Sequence, residues 1–287
     1  MTRRPGVLLG VGAGFLLALV GVAIWAARSG EDASAGELPA HNGRFHVECA
    51  YSHSGPDDPI VFPGEPGASH MHNFFGATST DAFSDAESLL AGDTTCSTHQ
   101  DTAAYWAPAL FDGEDQIDPI SSVAYYRAAP GVDPGDVVPF PTGLMMIGGD
   151  ATSTEPQSTD EVGWACTVEG RPEVSPPPCT GGVLLQVVFP DCWDGEHLDS
   201  PDHRAHVARS TDSGCPGSHP VALPQLEFHV QYPLPTDMRD LHLASGSLLT
   251  GHADFFNAWD EAALQREVEV CLNGSKVCGV VSNRATG

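Results

Sequence analysis

The sequence predicts one mainly β domain, sandwich-like or jelly-roll-like, with disulfides, long loops and one C-terminal helix. The 31 Gly and 24 Pro are dispersed along the 287 residues, so the chain turns often. Short apolar segments with the composition and alternation of strands recur along the chain. Only residues 260–270 combine strong helix formers with apolar side chains at helical spacing. An α+β arrangement is the alternative.

The first 28 residues are predicted to form a membrane anchor or a signal peptide that precedes the domain. Arg3 and Arg4 come before residues 7–27, an uncharged run about long enough to cross a bilayer as a helix. Basic residues ahead of such a run keep the N-terminus in the cytoplasm, so the rest of the chain is expected outside. The length of the run slightly favours a retained single anchor, whereas the small residues at 33–35 fit a cleavage site. Residues 29–43 follow as a polar linker, and residues 44–287 form the predicted domain.

The elements of the domain are predicted from local patterns. The alternation over residues 44–49 predicts a strand, and residues 81–90 have the composition of a short helix. Residues 104–110 are apolar and aromatic enough to be buried. Residues 183–189 are apolar on both faces, which predicts a central strand. Further strands are predicted at residues 123–127, 143–147, 164–167 and 226–232, and an exposed loop at residues 151–160.

The charge of the chain excludes two classes of partner. The formal net charge is -26, because 38 Asp and Glu are opposed by only 12 Lys and Arg. Such a surface repels nucleic acid phosphates and anionic membranes. Acidic surfaces mainly keep exported proteins soluble, so the charge does not by itself indicate a basic ligand. We expect a monomer that binds no nucleic acid.

The eight cysteines all follow the hydrophobic run. An even number in a chain expected outside the cell predicts a disulfide framework. A zinc cluster is the rival interpretation, but the sequence has no Cys-x-x-Cys pair. Connectivity does not follow from sequence, although each bond would stabilise the fold by roughly 2 to 4 kcal/mol. Short loops favour the pairs Cys49–Cys96, Cys166–Cys179, Cys192–Cys215 and Cys271–Cys278.

Residues 48–76 and a second segment near the C-terminus hold the candidate metal ligands. His70 and His72 are two residues apart, so on an extended strand their side chains point the same way. His252 and Asp254 repeat this spacing. Imidazole and carboxylate groups suit zinc, iron, copper or manganese, and these four residues are therefore candidate ligands of a divalent metal. Two histidines at this spacing also occur as ordinary hydrogen-bonded residues, and no complete motif such as His-Glu-x-x-His is present.

Metal-free acid–base catalysis is the other interpretation of these residues. Asp58, Asp101 and Asp254 can supply the two carboxylates of a glycoside hydrolase, with the three histidines as proton carriers. Each Asp also has a structural explanation, since Asp58 before Pro59 fits a turn and Asp254 can cap the turn into the last helix. The sequence has no Gly-x-Ser-x-Gly, P-loop or dinucleotide motif.

Aromatic side chains beside polar motifs indicate a surface suited to sugars. Tyr105, Trp106 and Trp193 are the candidates for contact with a substrate. Most aromatic residues of a β-rich domain belong to its core. Trp106 and Trp193 are therefore equally open to lining a cleft and to filling the core.

Seven sequence blocks occur in a fixed order between residues 45 and 271. They are YSHSGPDDPIVFPGEPGASHMHNFFG, TCSTHQDTAAYWAPAL, YYR, FPTGLMMIGGD, CWDG, CPGSHPVALPQLEFHVQY and HADFFNAWD. Together they resemble a family of exported bacterial and fungal proteins known as domain of unknown function nineteen ninety-six. The resemblance implies secretion and one shared domain, and it carries over no catalytic residue. Sugar-binding modules accompany this domain in fungal members, which implies a polysaccharide context.

The blocks add His219 and Asn257 to the candidate substrate-binding residues. Taken together, the sequence predicts an exported cell-envelope protein with a His/Asp site that acts on or binds carbohydrate, as a hydrolase or a lyase. A non-catalytic glycan- or metal-binding envelope protein is the alternative. The block residues that carry these expectations are His70, His72, Asp101, Tyr105, Trp106, Asp150, Cys192, Trp193, Asp194, His219, His252, Asp254 and Asn257.

Overall fold

The computed structural model describes residues 43–167, 170–233 and 240–283. Strands dominate these residues, which confirms the mainly β prediction. In chain order the strands are β1 Arg44–Gly55, β2 His72–Gly76, β3 Ala104–Pro108, β4 Leu110–Asp112, β5 Asp115–Ile117, β6 Ser121–Arg127, β7 Met145–Gly149, β8 Val162–Cys166, β9 Val183–Val188, β10 Cys192–Trp193, β11 Val207–Ala208, β12 Val221–Ala222, β13 Gln225–Tyr232, β14 Leu241–Leu243, β15 His252–Phe256 and β16 Val277–Val280. The helices are α1 Ala86–Leu90 and α2 Glu261–Glu267, with short 3-10 turns at Pro134–Asp136 and Leu248–Thr250 and a π-helix at Val268–Asn273.

The main sheet has ten strands and is nearly closed. Its strands follow the order β7-β15-β3-β2-β1-β6-β13-β9-β8, and β16 pairs in parallel with the start of β1. The two ends of the sheet approach each other at Gly148 of β7, where an added Cβ would lie 2.8 Å from a methyl carbon of Val187 on β9. Two small sheets, β11-β10-β12 and β14-β4-β5, lie beside the main one.

Strand β1 joins the two halves of the main sheet. Its residues from Arg44 to Ala50 pair with β6, and its residues from Tyr51 to Gly55 pair with β2. The register shifts between Tyr51 and His53, at the change of partner. Such an irregularity bends a strand, so one continuous strand serves both halves and lets the sheet roll up.

The main core lies between the two halves of the rolled sheet. Phe228 on β13 stacks on Tyr105 of β3 with ring centroids 5.4 Å apart and meets Phe75 of β2 edge-on at 5.7 Å. Strands β2, β3 and β15 are buried along their whole length. Their outward residues form a second cluster, which includes Phe74 and Trp106 and is covered by Leu89 of α1. Because successive side chains alternate across a strand, this half of the sheet has apolar material on both faces.

The predicted strands are confirmed with small shifts of their ends, except that β1 continues six residues beyond its predicted end to Gly55. Residues 183–189 lie centrally as β9, between β13 and β8. The strand predicted at 143–147 begins two residues later, because the Leu144 N–H donates to the Pro141 carbonyl and Gly143 adopts a φ of 87° in that turn. Both features belong to a tight turn, which delays the extended backbone.

The two predicted helices are shorter than expected. Residues 81–85 form turns in which the Phe83 N–H donates to Oδ1 of Asp81, so α1 keeps only five residues. The C-terminal helix is confirmed, but α2 has seven residues and continues as the π-helix. No helix within the described residues is long and apolar enough to cross a bilayer. The anchor or signal predicted for residues 1–28 and the linker up to residue 42 lie outside those residues.

The disulfide framework is confirmed in full. The four bonds join Cys49 to Cys96, Cys166 to Cys179, Cys192 to Cys215 and Cys271 to Cys278, as the short loops predicted. Each bond is formed between sulfur atoms about 2 Å apart. Such a framework is consistent with an oxidising, extracellular environment.

Candidate functional site

His72 and His252 lie on the same outer face of the main sheet, on strands that flank β3. His72 of β2 pairs with Pro108 of β3, and the pairing of Asp254 with Trp106 sets His252 at the same level on the other side. Their side chains point outward with Phe74 and Trp106, because positions two apart share a face. The two distant sequence segments therefore meet on this face.

His70 completes a cluster of three imidazoles. It lies in the loop before β2, where the Ala109 N–H donates to the Met71 carbonyl. Its ring centroid is 4.2 Å from that of His72 and 5.1 Å from that of His252. One ring nitrogen from each histidine lies within 4.8 Å of the other two. His72 and His252 are buried, and the half-buried His70 forms the outer edge of the cluster.

Backbone carbonyls fix two of the imidazoles in one tautomer. Nδ1 of His72 lies 2.9 Å from the Asp57 carbonyl oxygen, and Nδ1 of His252 lies 2.8 Å from the Thr250 carbonyl oxygen. A carbonyl oxygen only accepts, so each Nδ1 carries the hydrogen and each Nε2 keeps its lone pair. Nε2 of His70 and Nε2 of His72 are buried without a hydrogen-bond partner among the described residues. A carbonyl oxygen that accepts from Nδ1 orients a histidine so that its Nε2 can bind a metal ion.

The carboxyl group of Asp254 lies next to His252, and that of Asp58 lies near Asp254. Oδ2 of Asp254 is 4.0 Å from Nε2 of His252 and has no hydrogen-bond partner among the described residues. Asp58 accepts hydrogen bonds from the N–H groups of Ile60 and Val61 at 3.0 and 2.9 Å, and so holds its own loop. The negative charge of Asp58 is close enough to Asp254 to raise the pKa of the Asp254 carboxyl.

Burial keeps these groups in their neutral forms. Loss of hydration lowers the pKa of His252 to about 4 and that of His72 well below its usual value. The same cause, followed by the nearby Asp58, raises the pKa of Asp254 well above the usual range. The contact between His252 and Asp254 is therefore not an ion pair at neutral pH. A bound dication would favour the ionised carboxylate and use the free imidazole nitrogens.

Arg204 is a neighbour of the cluster that the sequence did not reveal. Its Nη2 donates to the Gly149 carbonyl oxygen at 2.8 Å, and Gly149 pairs with His252 between β7 and β15. Its positive charge acts to lower the pKa of both His252 and Asp254. In the sequence Arg204 lies between His203 and His206, and no pattern there links it to the cluster.

The two tryptophans that were candidates for sugar contact, Trp106 and Trp193, lie in different surroundings. The Trp106 ring is fully buried in the second core cluster, so it offers no open face to a sugar. Its Nε1 has no hydrogen-bond partner among the described residues. Trp193 is half-buried and donates from Nε1 to the His197 carbonyl oxygen at 2.6 Å.

Asp101 and Tyr105 belong to the inside of the rolled sheet. Oδ2 of Asp101 accepts a hydrogen bond from the Tyr105 hydroxyl at 2.8 Å, and that hydroxyl also meets the hydroxyl of Tyr126. All three side chains are fully buried. The structure thus separates these two residues from the histidines, since Tyr105 points to the opposite face of β3 from Trp106.

Asn257 and His219 make structural hydrogen bonds. The Asn257 amide donates to the carbonyl oxygens of Phe140 and Pro141 at 3.1 and 2.9 Å. Nε2 of His219 lies 2.9 Å from the Ala205 carbonyl oxygen. Neither residue is brought into the histidine cluster by a contact that the structure describes.

A comparison with protein families gives one match. The model of the family described as "Domain of unknown function (DUF1996)" matches residues 58–259. The chain belongs to this family. The DUF1996 region contains the three clustered histidines and both neighbouring carboxyl groups, whereas Cys49 and the C-terminal helix lie outside it. No curated protein and no solved structure matches the chain significantly.

Proposed function

We propose that this chain is an extracytoplasmic metalloprotein of the cell envelope. His70, His72 and His252 hold a divalent transition-metal ion, with Asp254 beside it. The observation that supports this most directly is the convergence of three ring nitrogens within 4.8 Å while carbonyl oxygens hold Nδ1 of His72 and His252. Neutral imidazoles with a nearby carboxylate suit zinc, copper, iron or manganese.

Carbohydrate is the class of molecule on which we propose that the protein acts. The disulfide framework fits an exported protein, and a metal ion next to a carboxyl group can activate water for hydrolysis or assist proton removal in a lyase. We assign to Asp254 the role of holding a proton in either reaction, since its Oδ2 lies 4.0 Å from Nε2 of His252. The acidic surface argues against nucleic acid as the substrate.

A non-catalytic metal- or glycan-binding protein is the second candidate. The burial of His72, His252 and Asp254, each at most 3% exposed, favours it, because a polymer could approach this cluster only at the half-buried His70. The two candidates share the metal ion and differ in turnover. Incubation with a polysaccharide panel separates them, since new reducing ends or unsaturated products indicate an enzyme and retention without products indicates a binding protein.

Metal affinity of the full chain is the primary test. Protein purified without added metal is analysed by elemental analysis, and chelated protein is titrated with zinc, copper and manganese salts. His70→Ala is expected to weaken binding of the preferred metal by about a hundredfold, since even the partners of metal ligands are worth roughly 10- to 100-fold. His46→Ala, which removes a histidine from the outer face of β1, is the matched control. Equal affinity in the native chain and in folded His70→Ala would refute the proposed centre.

A further inference from the structure

A polar groove crosses the outer face of β6, β13 and β9, apart from the histidine cluster. Its volume is about 640 Å³, and the segments 159–161 and 209–212 form one side. The floor is made of long polar side chains of the three strands, namely Arg127, Gln186, Gln225 and Glu227. Adjacent strands present these side chains on one face, which makes the groove a fixed feature of the sheet.

Both arginines of the groove are paired with carboxylates, and the carboxylates of the lining outnumber them. Nη2 of Arg127 lies 2.7 Å from Oε2 of Glu227, and Nε2 of His229 lies 2.7 Å from the other carboxylate oxygen. On the other side, Nε of Arg209 lies 3.2 Å from a carboxylate oxygen of Glu161. The lining holds five Asp and Glu but only these two Arg, so the groove is acidic and disfavours an anionic ligand.

Two side-chain amides in the groove keep unused hydrogen-bonding capacity. Oε1 of Gln225 accepts from Nε of Arg127 at 3.1 Å, which holds the amide and leaves its NH₂ group free to donate. The Gln186 amide makes no hydrogen bond within the described residues, although it lines the same groove. Amide and carboxylate groups held on a rigid sheet can donate to and accept from neighbouring hydroxyl groups of one ligand.

The apolar part of the lining is small. It consists of Pro130, Pro172 and Val188, with no aromatic side chain and no large aliphatic one. Peptide and lipid ligands need apolar pockets for anchoring side chains or acyl chains. An open groove lined by amides, carboxylates and hydroxyl groups instead fits a ligand that consists mainly of hydroxyl groups.

We propose that this groove binds a neutral oligosaccharide chain, held by the amides of Gln186 and Gln225. The inference rests on the carbohydrate part of the proposed function and is independent of the metal ion. It places the saccharide on the β6-β13-β9 face, near the end of the sheet that approaches β7. Arg209, which lines the groove, also donates to the Val188 carbonyl oxygen at 2.7 Å and so fixes that side of it.

The test compares saccharide binding by variants of the full chain. Calorimetric titrations with cellohexaose, chitohexaose and laminarin hexasaccharide identify the preferred probe, with polygalacturonate as an anionic comparison. The double variant Gln186→Ala/Gln225→Ala is expected to bind that probe at least tenfold more weakly. Gln265→Ala, on the exposed face of α2, is the matched control and is expected to bind normally. Metal content and thermal unfolding are measured on each variant, and both are expected to be unchanged.

Each alternative result overturns the inference. Binding of none of the neutral probes by the native chain, preferential binding of polygalacturonate, or unchanged binding by the double variant would exclude this groove as the saccharide site. Saccharide binding that is lost in His70→Ala but kept in the double variant would move the site to the histidine cluster. That last result would leave the proposed function intact, whereas loss of metal binding alone would leave the groove intact.

Discussion

Asp101 shows how burial changes the chemistry of a single residue. Its carboxyl is fully buried among Tyr105, Tyr126 and Trp259, and Nε1 of Trp259 donates to the Tyr126 hydroxyl at 3.2 Å. Desolvation raises the pKa of Asp101 to about 8, despite hydrogen bonds from Tyr105 and the Ala103 N–H. Asp101 is therefore a neutral structural residue of the core at neutral pH.

The stability of the fold is expected to depend on pH through Asp101. In the unfolded chain the carboxyl ionises near pH 3.8, whereas in the folded chain it keeps its proton up to about pH 8. Between these values the unfolded chain binds fewer protons, so this group's contribution to the free energy of unfolding falls by up to about 1.4 kcal/mol per pH unit. Asp101→Asn removes the titration, and the variant is expected to gain stability over the native chain as the pH rises from 4 to 8. Urea unfolding of both chains at several pH values measures this, and a pH-independent difference would contradict it.

His70, His72 and His252 differ from histidines whose two ring nitrogens are both hydrogen-bonded. The ring of His206, for example, uses both nitrogens, with Ser200 Oγ at 2.9 Å and the Met145 carbonyl oxygen at 2.7 Å. His53 is held in the same way by Ser52 and the Thr80 carbonyl. The sequence does not distinguish these two kinds of histidine, and only the convergence of three ring nitrogens within 4.8 Å marks His70, His72 and His252 as candidate ligands.

Gly149 is the residue of β7 on which the position of His252 depends. Its φ is 78°, and an added Cβ would lie 2.5 Å from the Gly251 carbonyl oxygen. Gly149→Ala is expected to lower the free energy of unfolding by about 1 to 3 kcal/mol, because it combines a strained φ with a backbone clash. It should also weaken metal binding, since Gly149 pairs with His252.

Gly113→Ala is the matched control for Gly149→Ala. Gly113 also has a positive φ, 62°, but an added Cβ meets nothing within 4 Å. The loss of unfolding free energy in Gly113→Ala should come from the backbone conformation alone and amount to about 1 kcal/mol. Thermal unfolding and metal titration of both variants give the comparison, and equal effects of the two substitutions would contradict the importance of the β7–β15 contact.

The last helix has its own cap, which leaves Asp254 free for the histidine cluster. Oδ1 of Asp260 accepts from the Ala263 N–H at 2.8 Å, which is the N-cap position of α2. The sequence allowed Asp254 to be such a cap, and the structure assigns that role to Asp260. Asp260→Ala is expected to destabilise the fold by about 0.5 to 2 kcal/mol without changing metal affinity. Urea unfolding and metal titration measure both, and a loss of metal binding in a folded variant would contradict the separation of the two sites.

At the scale of the whole molecule, the disulfides close loops of very different length. Cys49 and Cys96 are 47 residues apart in sequence, whereas Cys271 and Cys278 are 7 apart. In the chain-entropy account, the longer loop contributes about 4 kcal/mol and the shorter one about 2 kcal/mol. The double variant Cys49→Ala/Cys96→Ala is thus expected to be less stable than Cys271→Ala/Cys278→Ala. Chemical denaturation of both chains tests this order, and the reverse order would contradict it.

Local patterns predicted six of the sixteen described strands, the last helix and the disulfide pairs of this domain. Strand β9 is an example, because its apolar residues on both faces indicate a central position without any knowledge of its neighbours. The helix predicted at 81–90 is too long, because composition does not show that Asp81 uses its side chain to hold a turn. The sequence prediction is wrong where a side chain accepts a backbone hydrogen bond and so holds a turn in place of the first helical residues.

The amino-acid sequence by itself determined the strand-rich fold class, the disulfide framework and the spacing that makes His70, His72, His252 and Asp254 candidates. Only the tertiary structure decided that β3 lies between β2 and β15, which brings His72 and His252 together and encloses Trp106 and Asp101. The physical reason is that alternation along a strand is local, whereas strand order and the direction of each free lone pair depend on contacts between residues far apart in the chain.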